Sequence, residues 1–339
     1  MGTATEILRH WGDRYQPQAT PTCPASGGFS GAVVLRVETL SGPIAVRGWP
    51  GDTLPPTRLL GLHRLLAHIA SSGVAQVAVP VVSRDGSTLV RDQGRWWQVE
   101  PWLPGLADFH DRPLRSRLTA AIDCLAAWHR AAATFRAEPA ARRWFTTVDA
   151  APSPAVTERL ERLARWRSSH VAEHLLGRGG PERLTATLVR IRDLVPAAID
   201  RVEAELLAVA RLPVPLQPCL RDVWHDHLLF DGDRVSGLID PGASRTESVA
   251  ADLARLLGSL VGDDTAAWDA AIEAYEHHRP LSTDERALVH ILDHSGSLLA
   301  GPAWFERLDK HPDLENVPEG IIRRIEWVLG RLEQLAGSV

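Results

Sequence analysis

The 339-residue sequence predicts an α+β protein with a small β-rich N-terminal part and a larger helical C-terminal part. Short β-branched runs separated by Gly- and Pro-containing turns fill most of the first hundred residues, which is typical of hairpins. Beyond Leu103, apolar residues recur at helical spacing. The Pro- and Gly-rich stretch at 100–105 separates the two patterns. We therefore predict an N-terminal lobe at 1–103, a hinge near 100–105 and a C-terminal lobe at 104–339.

The N-terminal elements follow from local patterns. After an initial helix, a turn at Ser41-Gly42-Pro43 separates the first two predicted strands, and apolar residues between Leu59 and Ile69 predict a helix over 57–71. The predicted strands cover residues 32–40, 44–47, 77–82, 88–90 and 95–99.

The C-terminal part is predicted to be helical apart from one hairpin. Helices are expected at 114–133, 152–170 and 181–209, and a one-faced apolar stripe between Ile321 and Leu335 predicts a last helix that packs on a core. In the segment 219–257, two short apolar runs flank the turn Asp231-Gly232-Asp233, which predicts a hairpin over 228–239.

This hairpin separates two carboxylates, Asp222 before it and Asp240 at its end. A two-stranded ribbon of this kind places one carboxylate at each end, on one side of a cleft. Two carboxylates held in this way are suited to activating a hydroxyl group and to holding a divalent cation. That is the chemistry of phosphoryl transfer.

The same segment resembles the catalytic core of the aminoglycoside phosphotransferase and choline kinase group, which has a bilobal protein-kinase-like fold. The resemblance implies that Asp222 is catalytic and orients the acceptor hydroxyl or takes its proton. It implies that residues 219–242 form the catalytic loop, that Asp240 is a metal ligand and that Asp252, at the start of the next helix, supports this loop. It also implies that the protein transfers a phosphoryl group from ATP or GTP to a hydroxyl of a small molecule.

The segment departs from the group's pattern at three positions. Leu220 replaces the usual His of the loop, Pro241 replaces a Phe, and His227 replaces the Asn that serves as second metal ligand. The predicted metal ligands are therefore Asp240 and His227, for Mg²⁺ or another divalent ion. Imidazole suits zinc- or manganese-like ions better than magnesium, which prefers oxygen ligands.

The resemblance also implies a nucleotide site in the N-terminal part. Glycines in a turn between strands let the backbone approach a phosphate closely. Arg47 stands where kinases usually have a lysine that grips the phosphates, and its planar fork suits that role. The helix at 57–71 has Leu62 or His63 where the group has a Glu that pairs with this cation. The predicted nucleotide-binding residues are Gly27, Gly28, Ser30, Gly31, Arg47, Glu100 and Trp102.

Three further residues are candidates for the pocket of the acceptor. Trp224 and His225 lie within the predicted catalytic loop, and Trp304 lies in a later Gly-Pro-Ala-Trp segment. Plain packing is an equally good explanation for the two tryptophans, because Trp is usually well buried.

Composition excludes some classes of partner. A net charge of −5 gives no reason to expect nucleic acid or an anionic membrane, and no 18-residue apolar run is present. Three cysteines do not make a disulfide framework in a chain of this length, so we expect a cytoplasmic protein. The identity of the acceptor and the oligomeric state are left open.

Two alternatives are kept. His225 and His227 form a His-x-His pair that would point to one face of an extended segment and bind zinc, as in metallohydrolases. Losing the loop His, the strand Lys, the helix Glu and the Asn ligand is also compatible with a catalytically impaired, nucleotide-binding pseudokinase. Retention of both Asp222 and Asp240 favours an active enzyme.

Overall fold

The computed structural model describes residues 2–23, 31–311 and 313–337. In this part of the chain the strands are β1 Val33–Thr39, β2 Gly42–Pro50, β3 Val90–Asp92, β4 Arg95–Pro101, β5 Val148–Pro152, β6 Pro213–Cys219, β7 Leu228–Asp231, β8 Arg234–Leu238 and β9 Arg245–Glu247. The α-helices are α1 Gly2–Leu8, α2 Pro56–Ser71, α3 Arg115–Ala133, α4 Pro154–Arg167, α5 Val171–Gly177, α6 Glu182–Val209, α7 Val249–Val261, α8 Thr265–Glu276, α9 Thr283–Asp309 and α10 Glu319–Gly337.

The chain divides into two compact units. The first comprises Met1–Thr147, Gln217–Thr246 and His277–Arg279, and the second comprises Val148–Leu216, Glu247–Glu276 and Pro280–Val339. The predicted lobe boundary near residue 103 therefore falls inside the first unit, which also contains the hairpin and both of its flanking aspartates. The division into lobes at 103 stays a prediction.

The first unit is built around an antiparallel sheet with the strand order β1-β2-β4-β3. In β2, Arg47 is opposite Gln98 of β4, and Ala45 is opposite Glu100. The helix α1 contributes Ile7 and Leu8 to a core that also contains Val46 of β2. Burying these side chains against one face of the sheet leaves alternate residues of β2, including Arg47, on the other face.

The hairpin β7–β8 belongs to the same unit and forms as predicted. Its turn contains Gly232, whose φ of +59° suits glycine, and a register shift between Leu229 and Phe230 marks a bulge. The helix α3 packs against α2 and against β8. This packing holds the hairpin in place, and with it the adjoining segments that carry Asp222 and Asp240.

The second unit is helical apart from strand residues at its edges. The long helix α9 packs against α6, α7 and α10. It begins at a capping box in which Ser282 and Glu285 satisfy each other's backbone N–H groups. The prediction of a β-rich N-terminal part and a helical C-terminal part is confirmed. In the described residues, no helix combines the length and the apolar composition needed to cross a membrane.

One predicted strand is wrong. Residues 77–82 are extended, but they form only an isolated bridge between Val77 and Leu238 and a hydrogen bond from Val81 N–H to the carbonyl of Val99. Pro80 lies in the middle of this run and has no N–H group to donate to a ladder.

Candidate active site

Asp222 and Asp240 line the same cavity, which has a volume of about 530 Å³ and lies wholly within the first unit. Asp222 is exposed and Asp240 is half-buried. The volume falls in the range of small-molecule sites. Other side chains and backbone groups that line the cavity come from β2, from α2, from the turn before β5 and from the segment after the hairpin: Trp49, Arg58, Trp144, Gly242 and Arg245.

Both aspartates are placed by backbone in the left-handed region. Asp240 has φ 55° and ψ 52° between the end of β8 and a 3₁₀ turn at Pro241–Ala243. Arg221, directly before Asp222, has φ 68°. A residue other than glycine in this region costs about 1–2 kcal/mol, although Asp tolerates it better than most. Strained backbone beside both carboxylates is the kind of feature that is found at functional sites.

Arg47 connects the sheet to Asp240. Its Nη1 donates to Asp240 Oδ1 at 2.9 Å, and its Nη2 lies 3.7 Å from Glu100 Oε1. The guanidinium also lies over the ring of Trp49, with Cζ 5.3 Å from the ring centroid. The side chain of Arg47 is 12% exposed, so these charges interact with little screening by water.

Glu100 provides the negative charge beside Arg47 that was expected from a Glu of helix α2 and is absent there. Burial raises the pKa of Glu100 above its ordinary value, while Arg47 and a hydrogen bond from Gln98 act in the opposite direction. Gln98 Nε2 donates to Glu100 Oε2 at 2.8 Å. Helix α2 contributes His63, at a position where the helix Glu was expected, and this residue joins the network through Gln98.

The hydrogen bonds fix the tautomer of His63. Gln98 Oε1 can only accept, so His63 Nε2–H donates to it at 3.1 Å, and His63 Nδ1 accepts from the hydroxyl of Thr88 at 2.7 Å. Trp49 Nε1 donates to the same Gln98 oxygen at 2.9 Å. Burial lowers the pKa of His63 to about 4, so the ring is neutral near pH 7.

His227 lies between the two aspartates. Its Nδ1 donates to the backbone carbonyl of Asp222 at 2.7 Å, and its Nε2 accepts from the indole N–H of Trp224 at 2.8 Å. The same Nε2 lies 4.0 Å from Asp240 Oδ2. The nitrogen that would bind a metal beside Asp240 is therefore hydrogen-bonded to Trp224 in this arrangement.

Residues 22–289 match the profile of the family described as "Phosphotransferase enzyme family". The chain belongs to this family. The family that the sequence resembles and the predicted enzyme class, a small-molecule phosphotransferase, are confirmed.

Similar curated proteins are homoserine kinases. The one from Brucella anthropi is 27% identical over 264 residues, which are 76% of this chain and 68% of that protein. The one from Gluconacetobacter diazotrophicus is 29% identical over 247 residues, which are 71% of this chain and 66% of that protein.

Solved structures confirm the predicted protein-kinase-like fold class. An aminoglycoside phosphotransferase from Alicyclobacillus acidocaldarius superposes with a TM-score of 0.62 at 16% identity, covering 98% of this chain and 93% of that one. A spectinomycin phosphotransferase in complex with ADP and spectinomycin gives a TM-score of 0.61 at 11% identity, covering 96% and 97%.

Several predicted nucleotide contacts of the phosphotransferase lie outside the described residues, namely Gly27, Gly28 and Ser30. Gly31 is described and has φ +69°. At the predicted hinge, Trp102 N–H donates to the carbonyl of Pro43 at 3.0 Å, and its ring lies under Arg36. The nucleotide-binding roles of these residues stay predictions.

Other predicted residues of the phosphotransferase are distributed between the two units. Asp252 is fully buried in the first turn of α7, and Trp304 is 5% exposed in α9, both in the second unit. The burial of Trp304 favours packing over contact with a ligand. In the first unit, the ring centroid of His225 lies 4.4 Å from that of His110 and 4.6 Å from that of Trp224. Neither His225 nor Trp224 is among the residues that line the cavity described above.

The His-x-His alternative is wrong for this phosphotransferase. Residues 225–227 form a 3₁₀ turn, so the alternation of an extended segment does not apply to His225 and His227. Within the described residues, neither histidine belongs to a group of three His, Cys, Asp or Glu ligands close enough to share a metal.

Sequence patterns missed most of the residues around the two aspartates. Arg58, Trp144 and Arg245 carry no motif, and Gln98 lies in a strand of mixed polarity, Arg95–Pro101.

Proposed function

We propose that this phosphotransferase moves the γ-phosphoryl group of ATP to a hydroxyl of a small molecule, with Asp222 as the catalytic residue. The observation that supports this most strongly is that Asp222 and Asp240 line one cavity and that Arg47 donates a hydrogen bond to Asp240. Asp222 is exposed, so its carboxylate is accessible to an acceptor hydroxyl. It would orient that hydroxyl toward the phosphorus and take its proton as the new O–P bond forms.

Arg47 would place its positive charge at the phosphates, and Glu100 would help to hold Arg47 there. Phosphoryl transfer depends on positioning and on neutralising the negative charge of the phosphate oxygens. Arg47 is held by Glu100 on one side and by Asp240 on the other, which limits its freedom before a nucleotide binds. The glycine turn up to Gly31 and the hinge at Glu100 and Trp102 are proposed to contact the nucleotide.

Asp240 fits a divalent metal, because its carboxylate is the ligand type that Mg²⁺ prefers. His227 fits only after the hydrogen bond from Trp224 to its Nε2 breaks. When bound, the metal would neutralise charge on the phosphates. Related structures contain ADP, or AMP-PNP with Ca²⁺ in the case of an amicoumacin kinase, and these support ATP with a divalent ion.

The acceptor is proposed to be a small molecule, and homoserine is the first to assay because similar curated proteins are homoserine kinases. No disulfide links the three cysteines in the described residues, which agrees with the cytoplasmic location that we propose. Nucleic acid and membranes are not among the proposed partners.

Two substitutions test the assignment. In Asp222→Asn, kcat should fall about 10²–10⁴-fold, while stabilisation by ATP and Mg²⁺ is retained. In Asp240→Ala, the Mg²⁺-dependent part of that stabilisation should disappear. The matched control is Asp231→Asn, an exposed aspartate of the same hairpin that does not line the cavity. Product formation is followed by ³¹P NMR and stabilisation by thermal unfolding.

The outcomes separate the remaining alternatives. Undiminished turnover in both variants would refute the roles of Asp222 and Asp240. ATP-dependent stabilisation of the wild type, without a phosphorylated product from any acceptor, would identify the impaired pseudokinase instead.

A further inference from the structure

The cavity that holds the two aspartates also carries two arginines that the proposed transfer does not use. Arg58 is in the first turn of α2, and Arg245 is the first residue of β9. Both are half-buried, and both line the cavity with Asp222 and Asp240. The fold thus brings two permanent cations from distant parts of the sequence to the place where an acceptor hydroxyl must lie.

Arg58 is held in a fixed position. Its Nη2 donates to the backbone carbonyls of Gly242 at 2.9 Å and Ser244 at 3.2 Å. A guanidinium has five N–H donors in a planar fork, and within the described residues these two bonds are the hydrogen bonds of the Arg58 side chain. Its Nε and Nη1 are therefore available to a ligand without loss of an existing bond.

The two arginines repel each other. Burial, and after it the positive charge of Arg245, lowers the pKa of Arg58 below its ordinary value. Two like charges in a half-buried cavity are unfavourable in themselves, and an anion that binds between them removes the repulsion. Of the two carboxylates that line the same cavity, Asp240 already accepts from Arg47 through its Oδ1, and Asp222 is the one proposed to face the acceptor hydroxyl.

Aromatic walls strengthen the attraction for an anion. Trp49 is 5% exposed and packs against Gly242, and Trp144 lines the same cavity half-buried. These rings exclude water from part of the cavity. A charge–charge interaction is stronger there than at an open surface, because the local dielectric constant is lower.

We propose that Arg58 and Arg245 bind a carboxylate of the acceptor, so that the substrate is a hydroxy acid or hydroxy amino acid whose hydroxyl is presented to Asp222. This inference rests on the proposed function and adds the class of acceptor. A planar carboxylate matches the fork of a guanidinium in a bidentate manner.

The nucleotide is the other source of anionic oxygens. If the arginines hold its phosphates, removing them will weaken ATP binding and leave the choice of acceptor unchanged. If they hold the acceptor, ATP binding will be unchanged and the preference for a carboxylate will be lost. The experiment therefore measures both ligands in the same variants.

The test uses homoserine and 3-aminopropan-1-ol, which differ only in the carboxylate. Binding of each is measured by calorimetry in the presence of AMP-PNP and Mg²⁺, so that no transfer is needed. We expect wild-type protein to bind homoserine at least tenfold more tightly. The variant Arg58→Gln/Arg245→Gln should lose this difference while keeping its affinity for AMP-PNP. The control Arg84→Gln removes an exposed arginine that pairs with Asp13 in the same unit, and it should behave as wild type.

Steady-state kinetics supply the second readout. With ATP, KM for homoserine should rise at least tenfold in Arg58→Gln, with KM for ATP unchanged. A purely structural role of Arg58 in holding the carbonyl of Gly242 would lower kcat equally for both acceptors, and that result would overturn the inference. So would a carboxylate preference that persists in the double variant, a loss of AMP-PNP binding, or the absence of any preference in wild type. Transfer that proceeds without a carboxylate preference would leave the proposed function standing.

Discussion

Arg47 on strand β2 and Asp240 after strand β8 form a direct ion pair, with Nη1 and Oδ1 2.9 Å apart. The pair uses one carboxylate oxygen of Asp240 and leaves the other 4.0 Å from His227 Nε2. The cation proposed to contact phosphate and the carboxylate proposed to hold a metal are therefore coupled. Any change to one will alter the charge around the other.

Substituting Arg47 should impair use of the nucleotide. In Arg47→Gln, kcat/KM for ATP should fall about 10²-fold or more, because a charge that stabilises the transferring group is removed. Arg47→Lys should fall less, since it keeps the charge but lacks the fork that reaches both Glu100 and Asp240. The measurement is initial rate against ATP concentration.

The control for this series is Arg91→Gln, which removes an exposed arginine of the same sheet that stacks on Trp96. It should leave kcat/KM for ATP unchanged. An Arg47→Gln protein with the wild-type value would show that Arg47 only supports the structure.

His63 should make stability fall in acid. Its pKa is about 4 in the folded state and about 6.5 when unfolded, so only the unfolded chain binds the proton between these values. The free energy of unfolding should therefore decrease as pH falls from 6.5 to 4, by at most about 3 kcal/mol from this group. Urea unfolding of wild type and His63→Gln across this range checks the prediction.

The difference in stability between wild type and His63→Gln should shrink toward pH 4. His170→Gln, at an exposed histidine just before α5, serves as the control and should keep the wild-type slope. Parallel curves for wild type and His63→Gln would contradict a neutral, buried His63.

Trp224 should limit metal binding by His227. Trp224→Phe keeps an aromatic ring but cannot donate to His227 Nε2, so that lone pair is released. Losing a competing hydrogen bond of about 1 kcal/mol should raise affinity for Mn²⁺ or Zn²⁺ about fivefold, with little effect on Mg²⁺. Calorimetric titration of each metal in the presence of AMP-PNP measures this.

Adding His227→Asn to the Trp224→Phe protein supplies the control. The gain for Mn²⁺ and Zn²⁺ should vanish, because the imidazole is gone. If Trp224→Phe binds these metals as wild type does, His227 is not a metal ligand.

Gly242 should be intolerant of a side chain. A Cβ at this position would lie 2.9 Å from the ring of Trp49, which is held by its hydrogen bond to Gln98. Gly242→Ala should therefore cost about 1–3 kcal/mol of stability through overpacking and should lower activity. Thermal unfolding and turnover are measured together.

Gly330→Ala is the matched control, because Gly330 is exposed in α10 with open space around its Cα. It should stabilise the protein by up to about 1 kcal/mol through helix propensity. A Gly242→Ala protein as stable and active as wild type would mean that Trp49 moves freely.

Elements with strong local patterns could be predicted closely. The helix expected at 57–71 is observed at Pro56–Ser71, and the hairpin turn around Gly232 lies where its Asp-Gly-Asp sequence placed it. The strand expected at 77–82 does not form, because a β-branched run shows only a tendency toward extended backbone. Whether it pairs depends on Pro80 and on a neighbour that local sequence does not reveal.

The sequence by itself determined the two carboxylates and their separation by a hairpin, because turn chemistry and strand alternation act over a few residues. Its resemblance to a known group of kinases indicated the family. Tertiary structure decided what surrounds those carboxylates. Glu100 became the partner of Arg47, Trp224 took the lone pair of His227, and Arg58 came to lie in one cavity with Arg245. Arg47 and Glu100, and likewise Arg58 and Arg245, are far apart in the chain, and only the packing of sheet, helix and loop brings them within reach of one another. Trp224 and His227 are three residues apart, and the 3₁₀ turn between them turns the indole toward the imidazole.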